Sequence, residues 1–288
     1  MASKKSLKEA IDKYLAIKDG VLSPSTIRNY TAIRDNHLQP EMKMELRKLN
    51  NNVIQSAINR EAKEYSAKTV ENVYRLLTTV LNQFTGATPN VHLPQRIEKE
   101  HNMLNEAQLK ILIKAIDGDK SEVPLLLALF LGLRRSEIMA LEHSDFDSKT
   151  STLSVTKAKV PDKDGNFVVK GPKSRKGRRK LPVPPYLAKR LKACIDRNEP
   201  FFNVAPERPY KRLQQICEKY GLPKMTLHDL RHQNASIMLY LGVPDKYAME
   251  RGGWSSNSTM KNIYQHTMSE ARLQTDATMN NYFSSLVP

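Results

Sequence analysis

The sequence is poor in cysteine, tryptophan and long apolar segments, with two cysteines and one tryptophan among its 288 residues. Cys194 and Cys217 lack the close spacing of metal ligands, and the chain opens with an amphipathic pattern instead of an apolar signal core. We therefore expect reduced cytosolic thiols, with neither a disulfide framework nor a secretory leader. The longest apolar stretch, residues 123–133, contains Pro124 and is shorter than the roughly 18 residues that cross a bilayer.

The composition is otherwise that of a globular protein, with a large excess of positive charge. Lysine and arginine number 46 and aspartate and glutamate 30, which gives a net charge of +16. Such an excess is typical of proteins that bind a polyanion. Ribosomal RNA or an anionic membrane would also suit it. The membrane is disfavoured, because the sequence has no long basic amphipathic helix with a bulky apolar face. Nucleic acid is the favoured class of partner.

Residues 1–88 are predicted to form a small helical bundle. Ser6, Ser23 and Ser66 each occupy the position of a helix N-cap, and another helix is expected from about Asn51. Apolar residues recur at helical spacing after each start, including Leu7, Ile11, Tyr14, Ile27, Ile33, Ile54, Ile58, Val70, Val73, Leu77 and Leu81. Residues 89–101 lose this periodicity and contain two prolines, which is typical of a linker between domains.

Residues 102–288 are predicted to form a second domain, mainly helical with a small antiparallel sheet. Asn105 is a good N-cap, and the leucine-rich segment 122–131 is a predicted helix. Strand patterns cover residues 152–155, 167–169 and 181–183, with turn signals at Asp164-Gly165 between the first two and at Lys176-Gly177 before the third. Helical patterns follow at residues 185–197, 210–220, 228–241 and 245–251.

A first arginine motif, Gly132-Leu133-Arg134, directly follows the leucine-rich segment. An arginine in this place is often a solvated residue that interacts with the helix C-terminus. Glu137 lies three residues further on and could hold the guanidinium group, although such pairs are also common on solvated helix faces. A guanidinium group held in this way would suit a phosphate, because it can donate to two phosphate oxygens at once.

A second arginine motif occupies residues 227–232. His228 and Arg231 are three residues apart and can lie on one face of a helical turn. His228 and His232 also have a spacing that suits zinc, but the glutamate of a His-Glu-x-x-His site is absent and no third ligand is evident. We favour phosphate over metal, since the core-forming helix that follows would hold Arg231 rigidly.

Seven of the eleven residues from Lys170 to Lys180 are basic and none is acidic. Such a run is usually a solvated hairpin tip. On a sheet edge beside two phosphate-binding arginines it could instead enter a DNA groove and present one lysine to a reacting oxygen.

Trp254 and Tyr264 complete the set of candidates. A single tryptophan is most often a packing residue, yet its indole N–H can donate to a phosphate oxygen. Tyr264 is one of 11 tyrosines, so its position after the two arginine motifs is what marks it as a possible nucleophile.

In this order, the motifs resemble those of the tyrosine recombinase family of phage and mobile-element integrases. Residues 132–137 resemble the family's first box, residues 172–183 its lysine-bearing hairpin, residues 227–232 its second box, and residues 253–266 the closing box with the nucleophile. The N-terminal bundle resembles the family's core-site binding domain. Most relatives have histidine where this chain has Trp254, so this position must donate a hydrogen bond without exchanging a proton.

The resemblance implies that Tyr264 attacks a DNA phosphodiester and forms a 3′-phosphotyrosyl intermediate, which a free 5′-hydroxyl later reverses. Arg134 and Arg231 would clamp the nonbridging oxygens, and Trp254 would add a donor. Glu137 would orient Arg134. Neither a metal nor another cofactor is expected, because the cationic side chains stabilise the developing charge.

Proton transfers are implied for two further residues. His228 would handle the tyrosine proton, and Lys173 would protonate the departing 5′-oxygen. The neighbouring Lys170, Lys176 and Lys180 remain alternatives to Lys173.

DNA contacts outside the centre are expected from Arg28, Lys68, Arg75, Arg175 and Lys176. The implied partners are double-stranded DNA with specific core sites, further copies of the chain in a homo-tetramer on DNA, and accessory factors that bend DNA or set direction. We expect the protein to be in the cytoplasm of a bacterial host and associated with the nucleoid. A membrane is not an expected partner.

Several alternatives stay open. The chain could be a DNA-binding regulator that does not cut, or an enzyme like a type IB topoisomerase, which relaxes DNA without a defined site. Tyr282 and Tyr247 are the next candidates for the nucleophile. The tail from about residue 268 could pack in cis or dock on a neighbouring copy, and an arm-binding domain could precede residue 1.

Overall fold

The computed structural model describes residues 4–96, 103–162, 164–171 and 177–254. Two compact units make up the chain: Met1–Lys99 with Val160–Val168, and Glu100–Lys159 with Val169–Pro288. The helices before residue 97 are α1 (Leu7–Ile17), α2 (Pro24–Asn36), α3 (Gln39–Met42), α4 (Asn51–Glu64) and α5 (Ala67–Thr85), with a 3₁₀ turn at Leu46–Lys48.

Side-chain caps begin the long helices of the first unit. Ser6 caps α1 and exchanges hydrogen bonds with Glu9, while Ser23, Asn50 and Ser66 accept from backbone N–H groups at the starts of α2, α4 and α5. The apolar faces of these helices meet in one core, which includes Leu7, Ile11, Ile33, Ile54, Ile58, Val70, Val73, Leu77 and Leu81. The predicted helices are confirmed, and the predicted apolar residues other than Ile27 lie in this core. The short α3 was missed.

The first part of the predicted linker is held against this bundle. The hydroxyl of Tyr74 donates to the carbonyl of Pro89 at 2.5 Å. Gln55 and His92 exchange two hydrogen bonds, at 2.7 and 3.0 Å. Residues 89–92 therefore pack as part of the first unit, and residues 97–101 of the predicted linker lie outside the described chain.

Between residues 103 and 254, the described helices are α6 (Glu106–Ile116), α7 (Glu122–Leu131), α8 (Arg135–Ile138), α9 (Pro185–Asp196), α10 (Arg208–Lys219), α11 (Leu227–Tyr240) and α12 (Asp245–Gly252). The strands in the described part of the chain are β1 (Phe146–Asp147), β2 (Thr152–Val155), β3 (Ala158–Pro161), β4 (Phe167–Lys170) and β5 (Arg179–Pro182). Helix α7 is apolar on nearly every side and is buried in the core of the second unit, where it packs against α11.

Strand pairing differs from the sequence prediction. The turn signal Asp164-Gly165 was expected to join residues 152–155 to residues 167–169, but it lies between β3 and β4, which form a separate two-stranded sheet. Strand β2 pairs antiparallel with β1 on one side and β5 on the other, with Leu153 opposite Leu181. Strand β3 was missed because it ends in Pro161 and lacks a clear alternation of buried and exposed positions.

None of the helices in the described ranges has the length and apolarity that a membrane crossing needs.

Candidate active site

Arg134 is held by Glu137 at the start of a short helix. Gly132 ends α7 in the left-handed region with φ of 63°, and Arg134 is the N-cap of α8. The Glu137 carboxylate turns back and accepts from the backbone N–H of Arg134 at 2.9 Å and from its Nη1 at 2.8 Å. The side chain of Glu137 is 8% exposed and that of Arg134 is 38% exposed. The guanidinium group is thus fixed on one side and open on the other.

Gly132 is required for this turn. A Cβ at this position would lie 2.8 Å from Oδ1 of Asn234, and the positive φ disfavours other residues. The tight turn is what brings Arg134 to the rim of the site immediately after the buried α7.

Arg231 is buried on α11. Thr226 caps this helix through a reciprocal pair of hydrogen bonds with Asp229, so the aspartate of the second arginine motif serves the helix start. Arg231 is 1% exposed. It donates through Nη1 to the carbonyl of Gly132 and through Nη2 to the carbonyl of Gly252, at 2.8 Å in the second case.

A third arginine joins the site and was not singled out in the sequence. Arg179 begins β5 and donates to both carboxylate oxygens of Glu137, from Nη2 at 2.9 Å and from Nη1 at 3.1 Å. Its side chain is 6% exposed. Strand alternation could have found it, because Arg179 and the buried Leu181 are two residues apart and share one face of β5.

Arg134, Arg179 and Arg231 all donate hydrogen bonds to the C-terminal turn of α12. The carbonyl oxygens of residues 251–253 accept from Nε of Arg179 at 2.9 Å, from Nη2 of Arg231 at 2.8 Å and from Nη2 of Arg134 at 2.8 Å. Carbonyls at the end of a helix lack partners within the helix and carry partial negative charge. They therefore bring together cationic groups that would otherwise repel one another.

The charges in this cluster shift the pKa of two of its members. Burial raises the pKa of Glu137, but the hydrogen bonds and charge of Arg179, followed by those of Arg134, outweigh it and hold the pKa at about 2. Burial and the nearby Arg134 lower the pKa of Arg231 to about 9, which leaves it cationic at neutral pH. Together, Arg134, Arg179, Arg231 and Glu137 carry a formal net charge of +2. The site is built to attract an anion.

Trp254 covers Arg231. The guanidinium carbon lies 4.6 Å from the centre of the indole ring, within the range of a cation–π contact. Trp254 is 5% exposed. Gly252 leaves room for the ring, because a Cβ there would be 2.1 Å from Cζ3 of Trp254.

His228 lies at the exposed start of α11, next to the buried His232. The two ring centres are 4.2 Å apart with an interplanar angle of 76°. Within the described residues, no cluster of three or more His, Cys, Asp or Glu side chains could hold a metal ion.

A cleft of about 500 Å³ opens beside the cluster, between β5 and α12. Arg179, Trp254 and Tyr247 are among its lining residues. Tyr247, one of the alternative nucleophiles, is 52% exposed on α12. Because Tyr247 lines the cleft, an experiment has to distinguish it from Tyr264 as the nucleophile.

The other predicted residues fall into two groups. Lys173, Arg175, Lys176 and Tyr264 lie outside the described residues, as do Tyr282 and the whole tail. In the first unit, Lys68 and Arg75 share Glu71 on α5, at 3.6 and 2.7 Å.

Arg28 is exposed on α2. The structure thus brings Lys68 and Arg75 together around one carboxylate, and it shows Arg28 as a separate exposed residue.

The sequence and the fold are both similar to those of known proteins. Residues 102–270 match the model of the family described as Phage integrase family. The chain is 26% identical over 221 residues to the tyrosine recombinase XerC-like protein of Caldanaerobacter subterraneus subsp. tengcongensis, covering 66% of this chain and 56% of that protein. It is 27% identical over 158 residues to the ICEBs1 integrase of Bacillus subtilis, covering 48% and 43%. The chain thus spans about half the length of these curated relatives.

Solved structures give the same picture for the fold. The Tn1549 transposon integrase in complex with transposon right end DNA superposes with a TM-score of 0.80 at 18% identity, covering 95% of this chain and 99% of that one. Lambda integrase bound to DNA gives a TM-score of 0.66 at 15% identity, covering 92% and 98%. The predicted fold class, mainly helical with small antiparallel sheets, is confirmed.

Proposed function

Because this chain belongs to the phage integrase family, we propose that it is a site-specific DNA recombinase that breaks and rejoins DNA through a 3′-phosphotyrosyl intermediate. The observation that carries the proposal is the set of arginines held on the C-terminal turn of α12. Guanidinium groups match the oxygens of a phosphodiester. Groups fixed before the substrate arrives stabilise the transition state without a cost of reorganisation.

In the first step, the oxygen of Tyr264 attacks phosphorus and the bond to the 5′-oxygen breaks. Arg134 and Arg231 bind the nonbridging oxygens, whose negative charge grows in the transition state. His228 takes the proton of the tyrosine, and Lys173 gives a proton to the 5′-oxygen. The products are a 3′-phosphotyrosyl link and a free 5′-hydroxyl, so rejoining is the reverse attack by a 5′-hydroxyl.

Positive charge is central to this step. Tyrosine has an ordinary pKa of about 10, so its ionisation at pH 7 costs roughly 4 kcal/mol. The formal +2 of the Arg134, Arg179, Arg231 and Glu137 cluster favours the tyrosinate and the phosphorane-like transition state alike. The buried position of Arg231 strengthens this effect, because charges interact more strongly away from water.

Double-stranded DNA with a specific core site is the proposed substrate. We assign core-site binding to residues 1–88, with Arg28, Lys68 and Arg75 on phosphates, catalysis to residues 102–288, and the segment 89–101 to the connection. Strand exchange between two duplexes requires four such centres, so the active assembly is a homo-tetramer on DNA. Accessory factors bend the DNA or set the direction of the reaction. The tail from residue 268 docks onto a neighbouring copy.

A nicked suicide duplex tests the function. Cleavage near the nick releases a short strand, which traps the protein on DNA, and denaturing electrophoresis then separates the adduct from free protein. The wild type is expected to form the adduct and Tyr264→Phe to form none while still binding DNA. Tyr247→Phe is the matched control and should react like the wild type.

Two results would contradict the proposal in different ways. A wild type that binds DNA but forms no adduct is a regulator. A wild type that relaxes plasmids lacking a core site and never joins two specific sites acts like a type IB topoisomerase.

A further inference from the structure

All three nitrogens of the Arg179 guanidinium group donate to protein groups. It makes four hydrogen bonds: two to Glu137, one to the carbonyl of Arg251 and one to the carbonyl of Gly177. Its side chain is 6% exposed, against 38% for Arg134. Arg134 therefore faces the substrate, and Arg179 lies behind it.

The two arginines meet at one carboxylate. Arg179 holds both oxygens of Glu137. Arg134 depends on the same oxygens through its Nη1 and its backbone N–H. A carboxylate oriented by Arg179 therefore orients Arg134 in turn, and a displacement of Arg179 would be transmitted to the guanidinium that faces the phosphate.

Arg179 is also the first residue of β5. It lies opposite Val155 in the pairing of β5 with β2, and Lys173 comes six residues before it. The hydrogen bond from Nε to the carbonyl of Arg251 ties this strand end to α12. The same arginine thus holds Glu137 and ties the start of β5 to α12.

We infer that Arg179 is a positioning residue for strand cleavage, which orients Arg134 through Glu137 and ties the start of β5 to α12. This inference rests on the proposed function. Arg179 acts on the covalent step rather than on DNA affinity, because its side chain is buried and four of its five N–H donors are occupied by protein acceptors.

The pH dependence of cleavage separates positioning from a merely structural role. Among the residues that the structure describes, Arg134, Arg179 and Arg231 are the charged groups that face Glu137. Without the charge of Arg179, burial makes Glu137 easier to protonate, and a neutral Glu137 releases Arg134 as the pH falls. A residue that only supports the fold would lower the rate by the same factor at every pH.

The experiment measures single-turnover adduct formation on the nicked suicide duplex from pH 5.5 to 8 for the wild type and Arg179→Gln. The two rates are compared at the same pH, so that pH effects common to both proteins cancel. Arg197→Gln is the matched control, because Arg197 pairs with Glu199 at 3.1 Å with both side chains exposed. We expect a rate loss on the order of 100-fold for Arg179→Gln, growing toward low pH, with a dissociation constant for uncleaved DNA close to that of Arg197→Gln.

Two further variants separate charge from geometry. Arg179→Lys keeps the charge, so its pH profile should follow the wild type, but one ammonium group cannot replace the fork and its rate should fall between wild type and Arg179→Gln. Arg179→Gln/Glu137→Gln removes the buried carboxylate and serves if Arg179→Gln fails to fold, as judged by circular dichroism. The double variant should react slowly and lose the added pH dependence.

Rates of Arg179→Gln or of the double variant equal to the control would overturn the inference, as would one constant factor across the pH range. An absence of adduct from the wild type would overturn the proposed function and this inference together. A reactive wild type beside an equally reactive Arg179→Gln overturns the inference alone.

Discussion

The guanidinium carbon of Arg231 lies 4.6 Å from the centre of the Trp254 ring, and Trp254 is almost fully buried. The tryptophan therefore has two separable properties, an apolar face that covers Arg231 and an indole N–H that can donate to a phosphate oxygen. Substitution can remove one and keep the other.

Trp254→Phe keeps a ring over Arg231 and removes the N–H donor. We expect the rate of adduct formation to fall by on the order of 100-fold, as for other lost transition-state donors, with little change in thermal stability. Trp254→His restores a donor and should recover most of the rate. A Trp254→Phe variant that cleaves as fast as the wild type would show that Trp254 acts through packing alone.

Gly253→Ala should disturb the arginine cluster, and Gly242→Ala provides its control. Both glycines have positive φ, 64° and 68°, so an alanine at either costs roughly 1–2 kcal/mol of backbone strain. At Gly253 the new Cβ would also lie 2.9 Å from Nη1 of Arg179, whereas among the described residues no atom lies within 4 Å at Gly242. We expect similar losses of stability by denaturant unfolding but a clear loss of cleavage rate in Gly253→Ala alone. Equal cleavage rates in the two variants would exclude a coupling between this turn and the cluster.

Glu137 should contribute stability that depends on pH. Its pKa is lowered from 4.5 to about 2 by Arg179 and Arg134. The stability that the ionised carboxylate contributes is therefore fully present above pH 4.5 and is lost as the pH falls through about 2. The shift corresponds to about 3 kcal/mol at neutral pH. The measurement is the free energy of unfolding of the wild type and Glu137→Gln at pH 7 and pH 3. The advantage of the wild type should shrink at pH 3, and an advantage that grows there would contradict the assigned direction.

Lys68 and Arg75 should contribute to DNA affinity without sequence preference. Both are exposed and lie around Glu71 on one helix. Each phosphate contact releases counterions, so Lys68→Ala and Arg75→Ala should each reduce the slope of log affinity against log salt by about 1. Lys110→Ala, which removes an exposed lysine paired with Glu106, is the control. Unchanged slopes in both test variants would show that DNA binds to another face of the first unit.

Local signals in the sequence predicted much of the fold because they act over a few residues. The caps at Ser6, Ser66 and Asn105 were correct, since a side chain three residues from a free N–H needs no tertiary context. The spacing of Arg134 and Glu137 likewise predicted their contact. These interactions are fixed within one helical turn.

Long-range relationships were not predictable in the same way. The pairing of β2 with β5 joins residues far apart in the chain, while a strong turn signal at residues 164–165 suggested a nearer partner. Arg179 was hidden in a run of basic residues that favours a solvated tip. The role of the α12 carbonyls had no signal at all, because backbone oxygens carry no residue identity.

Mapping the DNA-linked peptide tests the central claim most directly. After adduct formation and nuclease treatment, trypsin would release Tyr264 in residues 262–272, Tyr247 in residues 247–251 and Tyr282 in residues 273–288, so the mass of the nucleotide-bearing peptide identifies the attacking tyrosine. The account predicts the peptide 262–272 from the wild type, and its near absence from Arg134→Ala and Arg231→Ala. A nucleotide on the peptide 247–251 or 273–288, or undiminished labelling in both arginine variants, would contradict it.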